Sequence, residues 1–166
     1  HLEVEPPSGV DVVRVASTAD LAEAMARLAP AADALVMAAA PADFTPAEPS
    51  ASKIKKSGDG GLDVRLVQTT DVLAGLVERR RPGQVIVGFA AETASDPAAL
   101  LELGRAKLAR KGCDLLVLND VSGGAVFGSA RNAVTIIDPS GVVATAEADK
   151  NVVAHRIWDA VVAVGG

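Results

Sequence analysis

The feature that most constrains the fold is a set of short, wholly apolar runs separated by stretches long enough to form helices. These runs lie at residues 35–39, 85–89 and 115–118. Strands that are apolar throughout are typical of parallel sheets buried on both faces, and helices of about 10 to 15 residues are their usual crossovers. The pattern predicts a doubly wound α/β fold with a mostly parallel sheet.

Capping residues predict where the helices begin and end. The segment 17–20 carries a capping signal before a helix with apolar Leu21, Met25 and Leu28. Asp96-Pro97 combines a capping carboxylate with a proline suited to the first helical position, and Gly112 is placed to end that helix. Further strands are predicted at 11–16 and 64–67, and a helix at 71–80.

The last third of the chain has a different pattern. Apolar residues alternate at 133–137 and 142–146, on either side of Asp138-Pro139-Ser140-Gly141, which is the turn chemistry of a β-hairpin. A final helix is predicted at 149–164, and its apolar side would carry Val152, Val153, Ile157, Trp158, Val161 and Val162. We therefore expect a Rossmann-like core with an appended C-terminal β-hairpin, at about 132–147, and helix.

Length and composition indicate one globular domain over residues 1–166. A net charge of -5 and the presence of only three Phe and one Trp argue against nucleic-acid binding. The single cysteine, Cys113, cannot form an internal disulfide and is expected to be an inert core thiol in a reducing compartment. No apolar run reaches membrane-spanning length, and the first residues do not resemble a signal peptide, so we expect a cytoplasmic protein with no membrane partner.

A loop that follows the apolar run at 35–39 is the first candidate site. It carries Asp43 and, about ten residues later, Lys53, which together offer a metal or hydroxyl ligand beside a counter-charge for phosphate. Glu92 and Asn119 follow two other predicted strands, and ligands bind beyond the carboxyl ends of such strands. Taken singly, each could equally be a polar residue that caps a loop, and the role of Glu92 stays open.

Arg105, Lys107, Arg110 and Lys111 form a local basic cluster. Within it, Lys107 and Lys111 are spaced by four residues, which places both on one helix face. Two neighbouring cations repel each other slightly, and a bound polyphosphate would reverse that penalty. A solvated helix face is the alternative interpretation. The glycine-rich signature of dinucleotide binding is absent from the sequence, so an NAD(P)-dependent oxidoreductase is disfavoured. The P-loop signature and a Ser-His-Asp arrangement are absent as well.

Several stretches, taken in order, carry a resemblance to a known family. They are Met37-Ala38-Ala39-Ala40-Pro41-Ala42-Asp43-Phe44, Lys53-Ile54-Lys55-Lys56, Gly88-Phe89-Ala90-Ala91-Glu92-Thr93, the segment 107–114, and Phe127-Gly128-Ser129 with Asn132. In these stretches the chain resembles the phosphopantothenate-cysteine ligase family. This ligase is commonly the C-terminal half of a bifunctional protein of coenzyme A biosynthesis. The N-terminal half is a flavin-dependent decarboxylase, so FMN would belong only to that half, which is absent here.

The resemblance implies a reaction that depends on CTP and Mg²⁺. The carboxylate of 4'-phosphopantothenate attacks the α-phosphate of CTP, giving an acyl-cytidylate and pyrophosphate, and the amine of L-cysteine then displaces CMP. Side-chain identities do not distinguish CTP from ATP. The resemblance also implies a homodimer formed through the hairpin, and a larger assembly with the decarboxylase half.

The resemblance further implies roles for individual residues. Asp43 would bind the nucleotide directly or through the metal, and Lys53 would meet the triphosphate and assist the second half-reaction. The remaining nucleotide contacts would be Met37, Ala38, Ala39, Thr70, Asp71, Val72, Leu73, Phe89, Lys107 and Lys111.

The family's domain usually begins with a further strand-helix segment that binds phosphates, of roughly 40 residues by comparison with usual domain sizes. That segment has no counterpart in this sequence, so the chain is expected to be N-terminally incomplete and inactive alone. The alternative is a non-catalytic, Rossmann-like nucleotide-binding or dimerisation module.

Overall fold

The structure, a computed structural model, describes residues 6–56, 58, 60–121 and 130–166. In chain order its elements are α1 (Thr18–Leu28), a short 3-10 helix (Ala29–Ala31), β1 (Ala34–Met37), β2 (Phe44–Pro46), β3 (Leu66–Gln68), α2 (Val72–Glu78), β4 (Val85–Glu92), α3 (Pro97–Lys111), β5 (Leu115–Asp120), β6 (Arg131–Asp138), β7 (Gly141–Asp149) and α4 (Lys150–Gly165). The predicted motif Phe127-Gly128-Ser129 lies outside the described residues.

The main sheet has five strands in the order β1-β4-β5-β6-β7. β1, β4 and β5 run parallel, with Val36 beside Val87 and Phe89 beside Val117. β6 lies antiparallel to β5 and to β7. The predicted α/β fold is therefore confirmed. The hairpin is formed by β6 and β7 and extends the same sheet.

Helices cover both faces of this sheet. On one face, the α2 and α3 residues Leu73, Leu76 and Leu108 pack with the sheet residues Leu35, Ile86, Leu116 and Leu118. On the other, the α4 residues Val153, Ile157 and Val161 pack with Val87, Leu115, Val117 and Ile136. A sheet that is covered on both faces requires strands that are apolar throughout, and the runs at 85–89 and 115–118 form such strands.

The predicted helix ends are confirmed in detail. Ser17 and Asp20 form a reciprocal capping box at the start of α1. The Asp96 carboxylate accepts a hydrogen bond from the Ala99 amide, 2.9 Å away, at the start of α3. Gly112 ends α3 with a φ of 69°, a left-handed conformation that glycine adopts without strain.

A glycine lets α3 lie close to the sheet. A Cβ added at Gly104 would come within 2.8 Å of Leu118 Cδ2 and 3.2 Å of Ile137 Cδ1. Real Cβ atoms essentially never lie within 3.0 Å of a neighbour, so the close approach of α3 to β5 at this position depends on glycine having no side chain. Because α3 carries Lys107 and Lys111, this close packing also sets how far those lysines stand from the ends of the strands.

Two predicted strands differ from the structure. Residues 11–16 form no strand, and Val10, Val12, Val13 and Val15 are 42–55% exposed. The predicted strand is therefore wrong, because no strand in the described part of the chain pairs with this segment. The strand predicted at 64–67 is observed as β3, which pairs only with β2 in a separate two-stranded sheet. Neither segment therefore belongs to the main sheet.

The last helix is less buried than its apolar pattern predicted. Val153, Ile157 and Val161 are buried, whereas Trp158 is 50% and Val162 71% exposed. The apolar stripe is thus wider than the surface that the sheet covers. Within the described residues, no helix combines the length and the apolar character needed to cross a bilayer.

Candidate functional site

An open cavity of about 850 Å³ lies at the carboxyl ends of β1 and β4. Its walls come from five places: the loop after β1, the segment that leads into α2, the end of β4, one face of α3, and β5. In open parallel sheets this edge is where ligands bind, because successive loops converge there.

The cavity gathers the predicted site residues with one exception. Its lining includes Met37, Ala38, Ala39, Asp43, Thr70, Asp71, Val72, Leu73, Phe89, Lys107 and Lys111. Predicted residues separated by as much as 74 positions in sequence, Met37 and Lys111, thus line one cavity. The exception is Lys53, which lies in exposed, irregular chain between β2 and β3 and is not among the described residues that line the cavity.

The loop after β1 is fixed by Thr69. Its hydroxyl donates to the Ala42 carbonyl at 2.6 Å, and its backbone amide donates to the Asp43 carbonyl at 2.9 Å. Two hydrogen bonds to adjacent peptide units hold the loop against the chain that enters α2. Asp43 is therefore presented at the cavity by a restrained backbone, although its side chain is exposed.

One wall of the cavity is basic. Lys107, Arg110 and Lys111 all line it from α3, where spacings of three and four residues place them on one helix face. Lys107 and Lys111 were predicted to be there, but Arg110 was noted only as part of a basic cluster. Its spacing of three from Lys107 was the signal that could have identified it.

Lys111 is held by the residue that caps α2. Its Nζ donates to Asp71 Oδ2, while Asp71 Oδ1 accepts from the Ala74 amide at 3.0 Å. Partial burial is the largest single influence on this carboxyl and raises its pKa, but the two hydrogen bonds and the charges of Lys111 and Arg110 together outweigh it. The pKa of Asp71 is consequently lower than usual, so it is ionised at neutral pH.

Lys107 has its own carboxylate. Its Nζ lies 2.7 Å from Glu92 Oε1, and both side chains are about a quarter exposed. The two cationic side chains that were expected to repel each other along α3 are therefore each paired with an acid from a different element.

Polar residues also meet at the β5 side of the cavity. Asn119, which lines it, accepts a hydrogen bond from Asn132 Nδ2 at 3.2 Å. The Asn132 Oδ1 is buried and has no hydrogen-bond partner among the described residues. Asn119 was expected in a loop, but it belongs to β5. Asn119 was nevertheless among the predicted candidates at the strand ends, and it does line the cavity. Gln68, which also lines the cavity, was not identified from the sequence, since an amide that ends a strand has no distinctive spacing.

The side chains at the cavity are compatible with Mg²⁺ that is held mainly by oxygens of a bound substrate and only in part by the protein. No group of three or more His, Cys, Asp or Glu side chains that could hold a metal occurs within the described residues. Magnesium, however, is commonly held by one or two carboxylates together with substrate phosphates and water. Asp43, an exposed carboxylate at the cavity, fits that mode of binding.

Comparison with protein families and curated sequences gives consistent results. Residues 1–164 match the family described as the DNA/pantothenate metabolism flavoprotein C-terminal domain. The coenzyme A biosynthesis bifunctional protein CoaBC of Mycobacterium tuberculosis is 46% identical over 162 residues, which is 94% of this chain and 39% of that protein. The chain thus spans well under half the length of this relative.

Solved structures resemble the chain over nearly its whole length. The C-terminal domain of a coenzyme A biosynthesis bifunctional protein CoaBC has a TM-score of 0.70 and 25% identity, covering 98% of this chain and 70% of that one. The DNA/pantothenate metabolism flavoprotein from Streptococcus pneumoniae has a TM-score of 0.78 at 18% identity, covers 98% and 76%, and supports the fold alone. A Cab2 mutant solved in complex with phosphopantothenate-cysteine has a TM-score of 0.56 and 25% identity, covering 77% and 42%.

Proposed function

The chain belongs to the family of DNA/pantothenate metabolism flavoprotein C-terminal domains, and from that membership we propose that it is the ligase domain of a coenzyme A biosynthesis protein. The proposed reaction joins 4'-phosphopantothenate to L-cysteine at the expense of CTP. The relatives named CoaBC and the Cab2 complex with phosphopantothenate-cysteine support this proposal. The observation that carries it is the cavity at the strand ends, where the residues expected to bind nucleotide meet a basic wall.

The basic wall suits the first half of the proposed reaction. When the carboxylate of phosphopantothenate attacks the α-phosphate of CTP, a P–O bond to the carboxylate forms and the bond to pyrophosphate breaks. Negative charge then spreads over the phosphate oxygens, and prepositioned cations stabilise it. Lys107, Arg110 and Lys111 supply three cationic groups from one rigid helix, so their charges need not be assembled during the reaction.

Asp43 and Phe89 have complementary roles in this proposal. Asp43 would hold Mg²⁺, which when bound neutralises phosphate charge. Phe89, half-buried in β4, offers an apolar face to the nucleotide, beside the backbone of Met37, Ala38 and Ala39. Backbone contacts of that kind read the edge of a base, so they are the part of the site suited to choosing CTP over ATP.

In the second half of the proposed reaction the amine of cysteine attacks the acyl carbon. A C–N bond forms, CMP leaves, and the amine loses a proton. We assign assistance in this step to Lys53, which is not among the described residues that line the cavity. Its exposed, irregular segment between β2 and β3 would have to approach the cavity when substrates bind.

The test uses the whole protein that contains this sequence. Pyrophosphate and phosphopantothenoylcysteine are measured with CTP or ATP, with Mg²⁺, for the unsubstituted protein, Lys53→Gln and Lys55→Gln. We expect CTP to support ligation, Lys53→Gln to abolish product formation, and Lys55→Gln, at a neighbouring position that is also exposed, to retain it. CTP binding without any ligation by the unsubstituted protein would instead identify a non-catalytic nucleotide-binding module.

Calorimetric titration of the 166-residue chain with CTP and with ATP, each with Mg²⁺, gives a separate readout. Tighter binding of CTP than of ATP would show that the cavity selects the base on its own. Equal affinities would contradict the assignment of base selection to the backbone of residues 37–39.

A further inference from the structure

Glu92 stands at the end of β4 and faces α3 across the edge of the sheet. Its Oε1 lies 2.7 Å from Lys107 Nζ, and the exposed fractions of the two side chains are 25% and 27%. The backbone of Glu92 is engaged separately, because its carbonyl accepts a hydrogen bond from the Val121 amide at 3.0 Å. The side chain is therefore available to Lys107 and does not cap the strand.

Lys107 and Glu92 differ in their relation to the cavity. Among the described residues, Lys107 lines the cavity and Glu92 does not. Glu92 thus holds the ammonium of a lysine that lines the cavity without lining the cavity itself. A carboxylate in this location is suited to orienting the lysine rather than to touching a ligand.

The lysine needs such a partner for two reasons. A lysine ammonium sits on a flexible four-carbon stem, so an unpaired one samples many positions and loses entropy when a ligand fixes it. Lys107 also lies one helical turn from Lys111, and the two positive charges would push each other apart. A carboxylate at 2.7 Å fixes the ammonium and offsets that repulsion.

We propose that Glu92 is a positioning residue for nucleotide binding, which holds the Lys107 ammonium at the cavity wall where it meets a phosphate of a nucleoside triphosphate. This inference rests on the proposed function, since it assumes that a nucleotide occupies the cavity. It assigns Glu92 no contact with the reacting atoms. Its effect on binding passes entirely through Lys107.

The test is a double-substitution cycle in the whole protein that contains this sequence. The dissociation constant for CTP with Mg²⁺ is measured for the unsubstituted protein, Glu92→Gln, Lys107→Met and the double variant. We expect Glu92→Gln to weaken CTP binding by roughly three- to tenfold when Lys107 is present, as is usual for coupled neighbours. In the Lys107→Met background the same substitution should have no further effect.

A matched control comes from the same helix. Glu102 pairs with Arg105 at 2.9 Å on an exposed face, and neither lines the cavity among the described residues. Glu102→Gln should leave CTP binding unchanged. In turnover assays, Glu92→Gln should lower kcat/KM for CTP when Lys107 is present and should cause no further loss in the Lys107→Met background, because Lys107 both binds the nucleotide and stabilises charge during the proposed reaction.

Defined outcomes would overturn the proposal. Unchanged or tighter CTP binding by Glu92→Gln would mean that Glu92 is neutral or competes with phosphate for Lys107. An equal loss with and without Lys107 would mean that Glu92 acts by another route, such as supporting the fold.

A readout without nucleotide separates this proposal from the proposed function. Side-chain NMR relaxation of Lys107 should show a restrained ammonium in the nucleotide-free protein and a mobile one in Glu92→Gln. Equal mobility in both would contradict the positioning role even if the unsubstituted protein binds CTP. If that protein fails to bind CTP, the proposed function fails, and with it the role of Glu92 in nucleotide binding, whatever the NMR result.

Discussion

Lys111 and Asp71 join the end of α3 to the beginning of α2 through a direct ion pair. Asp71 is also the residue whose carboxylate caps α2, by accepting from the Ala74 amide. One carboxylate therefore serves a helix end, an interhelical contact and the wall of the cavity. Substitutions at this position should consequently change both stability and ligand binding, in ways that a choice of variants can separate.

Asparagine and alanine at position 71 should have different effects on stability. Asparagine caps a helix about as well as aspartate, so Asp71→Asn removes the charge and keeps the cap. Asp71→Ala removes both, and loss of the cap should lower the free energy of unfolding by about 1 kcal/mol more than Asp71→Asn does. Urea unfolding of the two variants at neutral pH measures this difference. Equal stabilities would show that the bond to Ala74 contributes nothing.

The contribution of the Asp71 charge should depend on pH. Because the pKa of Asp71 is lower in the folded protein than in the unfolded chain, its ionised form stabilises the fold. That contribution is fully present above the unfolded pKa, about 4, and is lost as pH falls through the lower folded pKa. The stability difference between the unsubstituted protein and Asp71→Asn should be constant from pH 7 to about 5 and shrink below about 4. In Lys111→Met the same difference should be smaller from pH 7 to about 5, where Asp71 is ionised and lacks its cationic partner.

Two glycines within helices should respond oppositely to alanine. At Gly104 an added Cβ would lie 2.8 Å from Leu118 Cδ2 in the core, whereas at Gly75 the nearest atom is Arg79 Nη2 at 3.6 Å. Overpacking costs about 1–3 kcal/mol, and alanine regains up to about 1 kcal/mol of helix propensity. Gly104→Ala should therefore lower the free energy of unfolding, and Gly75→Ala should raise it by about 0.5–1 kcal/mol. Thermal unfolding of both variants tests the contrast, which a destabilised Gly75→Ala would contradict.

The parts of the fold that sequence reasoning predicted share a local cause. The caps at Ser17 and Asp96 and the stop at Gly112 act within one helical turn, so their chemistry can be read from neighbouring residues. The strands at 85–89 and 115–118 are buried on both faces, and that burial leaves a continuous apolar run. Neither the capping residues nor the continuous apolar runs depend on the order in which the strands are arranged in the sheet.

The parts that were predicted wrongly depend on distant partners. Residues 11–16 have strand-forming valines, but a strand requires a neighbour, and none in the described chain pairs with them. The exposure of Trp158 similarly depends on how much of α4 the sheet covers. In the site, family resemblance selected residues that meet at one cavity, yet no pattern indicated that the loop bearing Lys53 stands away from it.

Cys113 should report on unfolding. It is 4% exposed, and burial is the main cause that raises the pKa of its thiol, so little thiolate is available at neutral pH. In native buffer we expect a thiol reagent to modify Cys113 far more slowly than it modifies the urea-unfolded chain. The rate should follow stability, so that Gly104→Ala reacts faster and Gly75→Ala more slowly than the unsubstituted protein. Rapid labelling of all three at equal rates would show that Cys113 is reached without unfolding.

The outer strand of the hairpin is expected to mediate self-association. β7 is an edge strand of the described sheet, and its residues Val142 and Val143 are 47% and 43% exposed. Exposed apolar residues on an edge strand favour association with a second copy. We therefore expect a homodimer that Val143→Glu weakens by at least tenfold, because each interface would bury an unpaired carboxylate. Sedimentation equilibrium measures the dissociation constant of the dimer.

A control substitution places the same charge away from the hairpin. Leu28→Glu, at a 45% exposed position on α1, should dimerise normally. Normal dimerisation of Val143→Glu would exclude the hairpin as the interface, and a monomeric unsubstituted chain would exclude the dimer.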